Sequence, residues 1–269
     1  MGNRLKCAIS NIAWDEKQSE EIYRKMSDLE FAGIEIAPSK IFGENPYAYL
    51  KEAELYRKRM KNMYDLEVCS MQSIWYGRTE QIFRTEQERI ELLNYTKRAI
   101  EFAEVLECGN LVFGCPKNRI VPEEFEIGKA VEFFSELGEY AEKHHTVLAM
   151  EANPEIYGTN FINYTEEAFD IVKRVNRPGF KVNFDFGTVE NNQESLDILE
   201  KNLELVNHVH ISRPYLEAVA FTKEHEKLIK ILKEKVYGRY VSIEMKQQSK
   251  EYVVNCMEQF AKLCKKECQ

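Results

Sequence analysis

The sequence of 269 residues predicts an α/β protein built as a single (β/α)8 barrel. Three observations support this fold class: eight short apolar segments rich in β-branched residues, a helical hydrophobic pattern after each of them, and a length typical of one such barrel. Strands that are apolar almost throughout indicate a parallel sheet covered on its outside. The predicted strands are Leu5–Ser10, Gly33–Ala37, Leu66–Met71, Asn110–Gly114, Thr146–Met150, Lys181–Phe184, His208–Ile211 and Tyr240–Ile243.

Helical patterns fill the intervals between these strands and follow the last one. The predicted helices are Ser19–Leu29, Pro46–Tyr64, Thr85–Leu106, Phe125–Lys143, Thr165–Arg174, Glu194–Leu203, Thr222–Glu234 and Lys250–Lys265. An open, doubly wound sheet is the main alternative, but no GxGxxG motif follows the first strand. No linker, low-complexity tract or block of charge divides the chain, so we expect one barrel domain over residues 1–269.

The formal net charge of −8 argues against a nucleic-acid partner, because phosphate binding depends on clustered cations. No apolar stretch reaches the length of a membrane span, and the N-terminus lacks the apolar run of a secretory signal. The 7 cysteines are scattered without a CxxC pair, a pattern typical of reduced thiols. We therefore expect a cytoplasmic protein without membrane or nucleic-acid partners, and homo-oligomer formation stays open.

One potential metal ligand stands at the C-terminal end of each of the last four predicted strands. These residues are Glu151, Asp185, His210 and Glu244. In (β/α)8 barrels such strand ends surround the active site. A single acidic residue there is usually a helix cap or a salt-bridge partner, but a series in successive strands indicates a shared site. Because converging carboxylates repel one another, we expect one divalent cation, and three oxygen ligands with one imidazole suit Mn²⁺, Mg²⁺ or Co²⁺.

Two histidines of the seventh predicted strand point to the same side of the sheet, since they lie two residues apart. His210 is nearer to the C-terminal end of the strand and is the predicted ligand. His208 lies one layer deeper, and we expect it to be a hydrogen-bonded histidine of the barrel interior.

Further polar and aromatic residues near the strand ends are candidates for substrate binding. They are Trp14, Gln72, Trp75, Lys117, Asn153, Thr188, Arg213 and Lys246. The tryptophans could pack on the C–H face of a sugar or fill the rim beneath a loop. The cations, together with Arg119, could bind a phosphate or carboxylate of the substrate, or could balance carboxylates of the rim. The sequence leaves both pairs of interpretations open.

The segments at these strand ends resemble the xylose isomerase-like TIM barrels. The likeness is greatest to the sugar phosphate isomerase/epimerase group, which includes ketose 3-epimerases. It runs over nearly the whole chain and rests above all on the ordered set of Glu, Asp, His and Glu. The segments that carry it are Gly33-Ile34-Glu35-Ile36, Met71-Gln72-Ser73, Val112-Phe113-Gly114, Pro116-Lys117-Asn118-Arg119, Met150-Glu151, Asp185-Phe186-Gly187, His208-Val209-His210-Ile211-Ser212 and Ile243-Glu244.

This resemblance implies a metal-dependent isomerase or epimerase that acts on a sugar or sugar phosphate. The resemblance also implies that Glu151 and Glu244 double as base and acid on opposite faces of the sugar. One would remove the proton α to the carbonyl, and the other would return a proton to the resulting enediolate. Thr188 departs from the family, which often has a histidine there that contacts substrate. Arg213 stands where relatives frequently have an acidic residue.

Three alternatives share this fold. A lyase that dehydrates a keto-polyol would use the same enediolate, and Thr188 in place of histidine keeps this alternative open. A non-catalytic sugar-binding barrel would retain the metal ligands, although binding alone requires no base on each face of the sugar. DNA-repair endonucleases of the same superfamily need additional His and Glu ligands for a zinc cluster, and the second to fourth predicted strands contain no histidine.

Overall fold

The computed structural model describes residues 5–265 and contains eight parallel β-strands. All eight predicted strands are confirmed, with ends shifted by one or two residues at most. The strands are β1 (Lys6–Ile9), β2 (Gly33–Ile36), β3 (Glu67–Met71), β4 (Leu111–Phe113), β5 (Leu148–Glu151), β6 (Phe180–Asp185), β7 (Val206–Ile211) and β8 (Tyr240–Ile243).

The strands form one sheet that closes on itself. They are hydrogen-bonded in the order β1-β8-β7-β6-β5-β4-β3-β2. A parallel bridge between Ser10 and Glu35 joins the C-terminal ends of β1 and β2 and completes the ring. The predicted (β/α)8 barrel is therefore confirmed, and the C-terminal ends of all eight strands surround one opening.

Helices connect the strands and cover the outside of the ring. In residues 5–265 they are α1 (Ser19–Asp28), α2 (Pro38–Phe42), α3 (Leu50–Tyr64), α4 (Glu86–Val105), α5 (Ile127–Lys143), α6 (Thr165–Val175), α7 (Phe186–Asn192), α8 (Asp197–Asn202), α9 (Lys223–Glu234) and α10 (Lys250–Lys265). The short helices α2 and α7 are absent from the predicted set, since one or two turns directly after a strand carry too little periodicity. Within the described chain, no helix is long and apolar enough to cross a membrane.

The layer between strands and helices is apolar and strongly aromatic. Phe113 on β4 packs edge-on against Trp75 and Phe134, with ring centroids 4.8 and 5.1 Å apart. Phe134 on α5 in turn stacks on Phe180 at the start of β6. Such ring contacts contribute beyond the burial of apolar area, and they hold the middle strands of the ring against their helices.

The interior of the barrel, in contrast, is largely polar. Barrels of this fold are usually filled by layers of bulky branched side chains. Here the buried side chains include Ser10, Glu35, Ser70, Gln72, Asn110, Asn183, His208, His210 and Ser242. Hydrogen bonds pair several of them, for example from Gln72 to Ser10 and from Asn110 to Ser70. Because buried polar groups are tolerated only when paired, this interior restricts the side chains to defined orientations.

Close packing between α5 and the turn before β6 depends on one glycine. A Cβ atom at Gly179 would lie 2.1 Å from the carbonyl oxygen of Gly138 and 2.7 Å from the backbone nitrogen of Glu142. Backbone atoms of a helix cannot move aside as the end of a flexible side chain can. Any larger residue at Gly179 must therefore push α5 away from the barrel.

We expect Gly179→Ala to lower the free energy of unfolding by about 2 kcal/mol or more, and the Tm by roughly 4–8 °C. Gly128→Ala is the matched control, because Gly128 lies on α5 itself and a Cβ there meets no atom within 4 Å. Because alanine has a higher helix propensity than glycine, Gly128→Ala should leave the protein equally stable or stabilise it by about 0.5–1 kcal/mol. Thermal unfolding followed by circular dichroism measures both, and equal Tm values would contradict the packing argument.

Candidate metal centre

Four potential ligands converge at the C-terminal end of the barrel. Glu151 and Asp185 are the last residues of β5 and β6. His210 is the last residue but one of β7, and Glu244 directly follows β8. Each residue offers one ligand atom, and these atoms all lie within 4.8 Å of one another. The structure thus brings the whole predicted ligand set together.

The register of the parallel strands brings these residues to one level. Asp185 on β6 is paired with His210 on β7, and Glu151 on β5 is paired with Asn183 on β6. A register shift follows Val182 in β6, and such irregularities re-aim the side chains that follow them. Neighbouring strands therefore present their polar ends to the same space.

His210 contacts carboxylates on both edges of its ring. Its Nδ1 lies 3.0 Å from Glu151 Oε1 and 3.1 Å from Glu244 Oε2. Its Nε2 lies 2.9 Å from Glu35 Oε2. Burial opposes a charged ring, but Glu35 and Glu244 outweigh burial and hold the pKa of His210 above its usual value. The Nδ1 edge therefore faces the other ligands, while Glu35 fixes the opposite edge.

Glu35 lies beneath the four ligands and is completely buried in the barrel. Besides its contact with His210, its Oε2 lies 3.3 Å from Nε2 of His208. Burial would raise the pKa of this carboxyl, but the two histidines outweigh burial and hold the pKa well below its usual range. His208 also lies 2.8 Å from the hydroxyl of Ser242, so it is a hydrogen-bonded histidine of the interior.

Asp185 is held by hydroxyl and backbone groups. The backbone nitrogen of Thr188 donates to Oδ2 at 2.8 Å, and the Thr188 hydroxyl lies 2.9 Å from the same atom. Ser212 donates to Oδ1. A Cβ at Gly187 would lie 2.6 Å from this serine hydroxyl, so the glycine permits the contact. Burial, together with the charge of Glu151, raises the pKa of Asp185 to about 6.

The two glutamates have different surroundings. Asn183 donates to Oε1 of Glu151 at 2.7 Å, and Asn153 donates to Oε2 at 3.0 Å. A Cβ at Gly114 would lie 2.9 Å from Oε2, so this glycine leaves room for the carboxylate. Burial raises the pKa of Glu244 to about 7 although His210 lies beside it. Amide donors thus orient Glu151, whereas burial dominates the environment of Glu244.

A cavity of about 200 Å³ opens onto the ligands. The predicted site residues on its wall are Gln72, Glu151, Asn153, Asp185, Arg213 and Glu244. Gln72 donates to the hydroxyl of Ser10 at 3.1 Å, which fixes its amide. Arg213 donates to Glu190 at 3.2 Å. Arg213 therefore faces the cavity and also balances a carboxylate of the rim.

The cavity wall also includes Tyr157, from the loop after β5. Its hydroxyl accepts a hydrogen bond from the backbone nitrogen of Tyr215 at 2.7 Å. Because a phenol also carries one hydrogen to donate, this hydrogen is available to a ligand in the cavity. Burial, with the charges of Asp185 and Glu151 adding to it, raises the pKa of Tyr157 to about 12. The hydroxyl therefore stays protonated at neutral pH.

The two tryptophans lie in the core and not on the cavity wall. The indole nitrogen of Trp14 donates to Ser19 at 3.1 Å, and that of Trp75 donates to Thr96 at 2.9 Å. Both side chains are at most 3% exposed. This placement corresponds to packing beneath the rim, and neither indole presents a face to the cavity.

The remaining predicted substrate contacts also lie outside the cavity. Lys117 and Lys246 are exposed on the rim. Arg119 is completely buried and donates to Asn153 at 2.8 Å, so it supports the cavity wall from behind. Thr188 is buried against Asp185. Of the four cations considered at the strand ends, Arg213 is thus the one that lines the cavity.

Three residues of the site are absent from the predicted set, namely Tyr157, Asn183 and Ser212. Alternation along the strands could have indicated two of them, since Asn183 lies two residues before Asp185 and Ser212 two residues after His210. No local pattern indicates Tyr157, because it reaches the cavity from a loop.

Comparison with solved structures finds the same architecture in sugar epimerases and in an AP endonuclease. The 3-keto-D-glucoside 4-epimerase of E. coli matches 97% of this chain and 99% of its own, with a TM-score of 0.74 and 18% identity. The D-psicose 3-epimerase of Clostridium cellulolyticum H10 matches 98% of this chain and 100% of its own, with a TM-score of 0.77 and 14% identity. The family 2 AP endonuclease of Brucella melitensis matches 93% of this chain and 96% of its own, with a TM-score of 0.68 and 20% identity. At these identities the likeness shows a common fold and no more.

No curated protein matches the sequence significantly. The profile of a protein family described as xylose isomerase-like TIM barrel matches residues 23–262. This range contains strands β2 to β8 and all four potential ligands. The resemblance carried by the strand-end segments is therefore confirmed, and the chain belongs to the xylose isomerase-like TIM barrel family.

Proposed function

We propose that the protein is a divalent-metal-dependent isomerase or epimerase of a small sugar or sugar phosphate. The observation that carries the proposal is the convergence of three carboxylates and one imidazole within 4.8 Å, on a cavity of about 200 Å³. The sugar epimerases among the structural relatives support a sugar as the substrate. The cavity is small compared with the roughly 300–1,000 Å³ usual for ligand pockets, which favours a single small reacting unit.

The chemistry of the four side chains fits a divalent cation. Without one, crowding and burial raise the pKa of Asp185 to about 6 and that of Glu244 to about 7, which reflects the cost of gathering negative charge. Three oxygen donors and one imidazole nitrogen suit Mn²⁺, with Mg²⁺, Co²⁺ or Zn²⁺ as alternatives. Bound there, the ion would stabilise negative charge that develops on the carbonyl and hydroxyl oxygens of the substrate.

Glu151 and Glu244 are the proposed base and acid. They come from β5 and β8, which are separated by two strands in the ring, so they reach the cavity from different sides. One glutamate removes the proton α to the carbonyl, and the other returns a proton to the enediolate. If the proton returns to the opposite face of the same carbon, the configuration of that carbon is inverted, which is epimerisation. If the proton returns to the neighbouring carbon, the carbonyl group changes position, which is isomerisation.

Other residues orient the reacting groups. Glu35 fixes His210, and Thr188 with Ser212 fixes Asp185. Tyr157 and Arg213 are the proposed donors to substrate oxygens, because both line the cavity with N–H or O–H groups. These donors bind and align the substrate, while the glutamates move the protons.

A lyase acting on a keto-polyol is the second candidate. It is favoured by one observation, the hydroxyl of Tyr157 on the cavity wall, since a departing hydroxyl group needs a proton donor. Mass spectrometry of the products separates the two reactions. An epimerase or isomerase gives products of unchanged mass, whereas the lyase product lacks one water.

We expect the protein loaded with Mn²⁺ to exchange the proton α to the carbonyl of a ketose or ketose phosphate for deuterium in D₂O. Glu151→Gln and Glu244→Gln should each slow this exchange by about 10²- to 10⁴-fold without loss of folding. Glu155→Gln is the matched control, because Glu155 is exposed in the loop after β5. Full activity in either site variant would remove that glutamate from the mechanism, and no exchange with any ketose would overturn the proposal.

We expect isothermal titration of the EDTA-treated protein to show one equivalent of Mn²⁺ bound, and saturation to raise the Tm, since a ligand of the native state stabilises it. Asp185→Asn should weaken binding at least about tenfold, which corresponds to roughly 1.4 kcal/mol. Asp170→Asn, a change of an exposed carboxylate on α6, should leave binding unchanged. Equal affinities in the two variants would contradict the ligand assignment.

We expect Tyr157→Phe to lower kcat/KM about tenfold or more, because a hydrogen-bond donor to the substrate is lost. Tyr215→Phe is the matched control. It removes the hydroxyl of a side chain that is 58% exposed and keeps the backbone N–H that donates to Tyr157. Steady-state kinetics of the two variants should therefore differ, and equal values would exclude a role of the Tyr157 hydroxyl.

A further inference from the structure

A second and larger cavity adjoins the candidate metal centre. Its volume is about 1020 Å³, compared with about 200 Å³ for the cavity at the metal ligands. Ser73, directly after β3 and Gln72, lines both cavities. The two cavities thus meet at this residue, and we call the second one the side groove.

The backbone at the junction of the two cavities adopts a rare conformation. Ser73 has a φ of 54°, in the left-handed region that non-glycine residues seldom occupy. Its hydroxyl donates to the side-chain oxygen of Gln72, which lies on the metal-centre side. Ser73 therefore places a small polar side chain where the walls of the two cavities meet.

Contacts within the protein hold several side chains of the side-groove wall in place. The ring of Tyr95 lies between two guanidinium groups, with Arg78 at 4.9 Å and Arg98 at 5.3 Å from its centroid. The Lys40 ammonium donates to the backbone carbonyls of Asn11 and Trp14, each at 2.9 Å. A wall built in this way loses little conformational entropy when a ligand binds.

The charges of the side groove are largely balanced. Arg78 forms ion pairs with Glu80 and Glu91. Glu44 also lines the groove, so the three cations of its wall, Lys40, Arg78 and Arg98, are matched by three carboxylates on or beside it. The side groove therefore has no strong positive field. Its wall offers hydrogen-bonding groups and aromatic surface to a ligand. The groove therefore suits a neutral, polyhydroxylated group better than a phosphate.

Two exposed side chains of the wall supply what a sugar ring requires. Tyr76 is 74% exposed and offers an aromatic face to C–H groups. Arg98 is also exposed and offers several N–H donors to hydroxyl oxygens. Ser39 and Asn45, on the same wall, add smaller polar groups.

We propose that the substrate is a glycoside or other glycosylated sugar of at least two units. Its reacting unit occupies the cavity at the metal ligands, and its second, uncharged sugar unit occupies the side groove. The proposal rests on the proposed isomerase or epimerase function, because it assigns the reacting unit to the same four ligands. It specifies a larger substrate class than a free monosaccharide.

Isothermal titration of the Mn²⁺-loaded protein with D-fructose, lactulose, leucrose and isomaltulose tests this proposal. The three disaccharides carry a second hexose on different hydroxyls of a fructose unit. We expect at least one of them to bind about tenfold or more tightly than D-fructose, a difference of roughly 1.4 kcal/mol. If no disaccharide binds more tightly than D-fructose, the proposal is overturned.

Tyr76→Ala and Arg98→Ala assign any gain in affinity to the side groove. Both should remove most of the gain for the disaccharide and leave the affinity for D-fructose unchanged. Tyr49→Ala is the matched control, since Tyr49 is 44% exposed and does not line the groove. A gain that survives both groove substitutions overturns the proposal.

Deuterium exchange in the same samples separates this inference from the proposed function. Tighter disaccharide binding that depends on Tyr76 or Arg98, without exchange of any substrate proton, supports the groove and contradicts the isomerase. If D-fructose exchanges a proton for deuterium but no disaccharide binds more tightly than D-fructose, the result supports the proposed isomerase function and overturns the proposed glycoside substrate.

Discussion

The buried contact between Glu35 and His210 joins the interior of the barrel to the candidate metal centre. Both side chains are completely buried, and a carboxylate in such a place is tolerated only when it is paired. Because Glu35 holds Nε2 of His210, the Nδ1 edge is left to face Glu151 and Glu244. Carboxylates that orient a ligating histidine in this way are common around metal ions. The polar interior is thus continuous with the site and supports it.

The environment of Asp185 shows what Thr188 contributes at the end of β6. Thr188 does not line the cavity; its backbone nitrogen and hydroxyl contact Asp185, and the hydroxyl also lies 2.8 Å from the carbonyl of Ala152. The residue therefore serves the orientation of a potential ligand. The hydroxyl that lines the cavity and stays protonated at neutral pH belongs to Tyr157, in the loop after β5.

The tryptophans and lysines show where local reasoning about a barrel rim fails. Trp14 and Trp75 come shortly after strands, yet their indole nitrogens find partners in Ser19 and Thr96 within the outer layer. Lys117 and Lys246 also stand near strand ends, but they point away from the cavity wall. A loop can turn a side chain inward or outward within one or two residues. Proximity to a strand end alone therefore does not predict a contact with the cavity.

The amino-acid sequence alone was sufficient to predict the eight strands, the barrel and the four potential ligands. Alternating strands and helices leave few arrangements, and parallel strands place their C-terminal ends on one side. The side groove, the position of Tyr157 and the pairing of Glu35 with His210 required the tertiary structure. Glu35 and His210 are 175 residues apart, and the groove arises where three separate loops meet. Contacts of this kind depend on how the ring closes, and no local pattern in the chain encodes the distances across it.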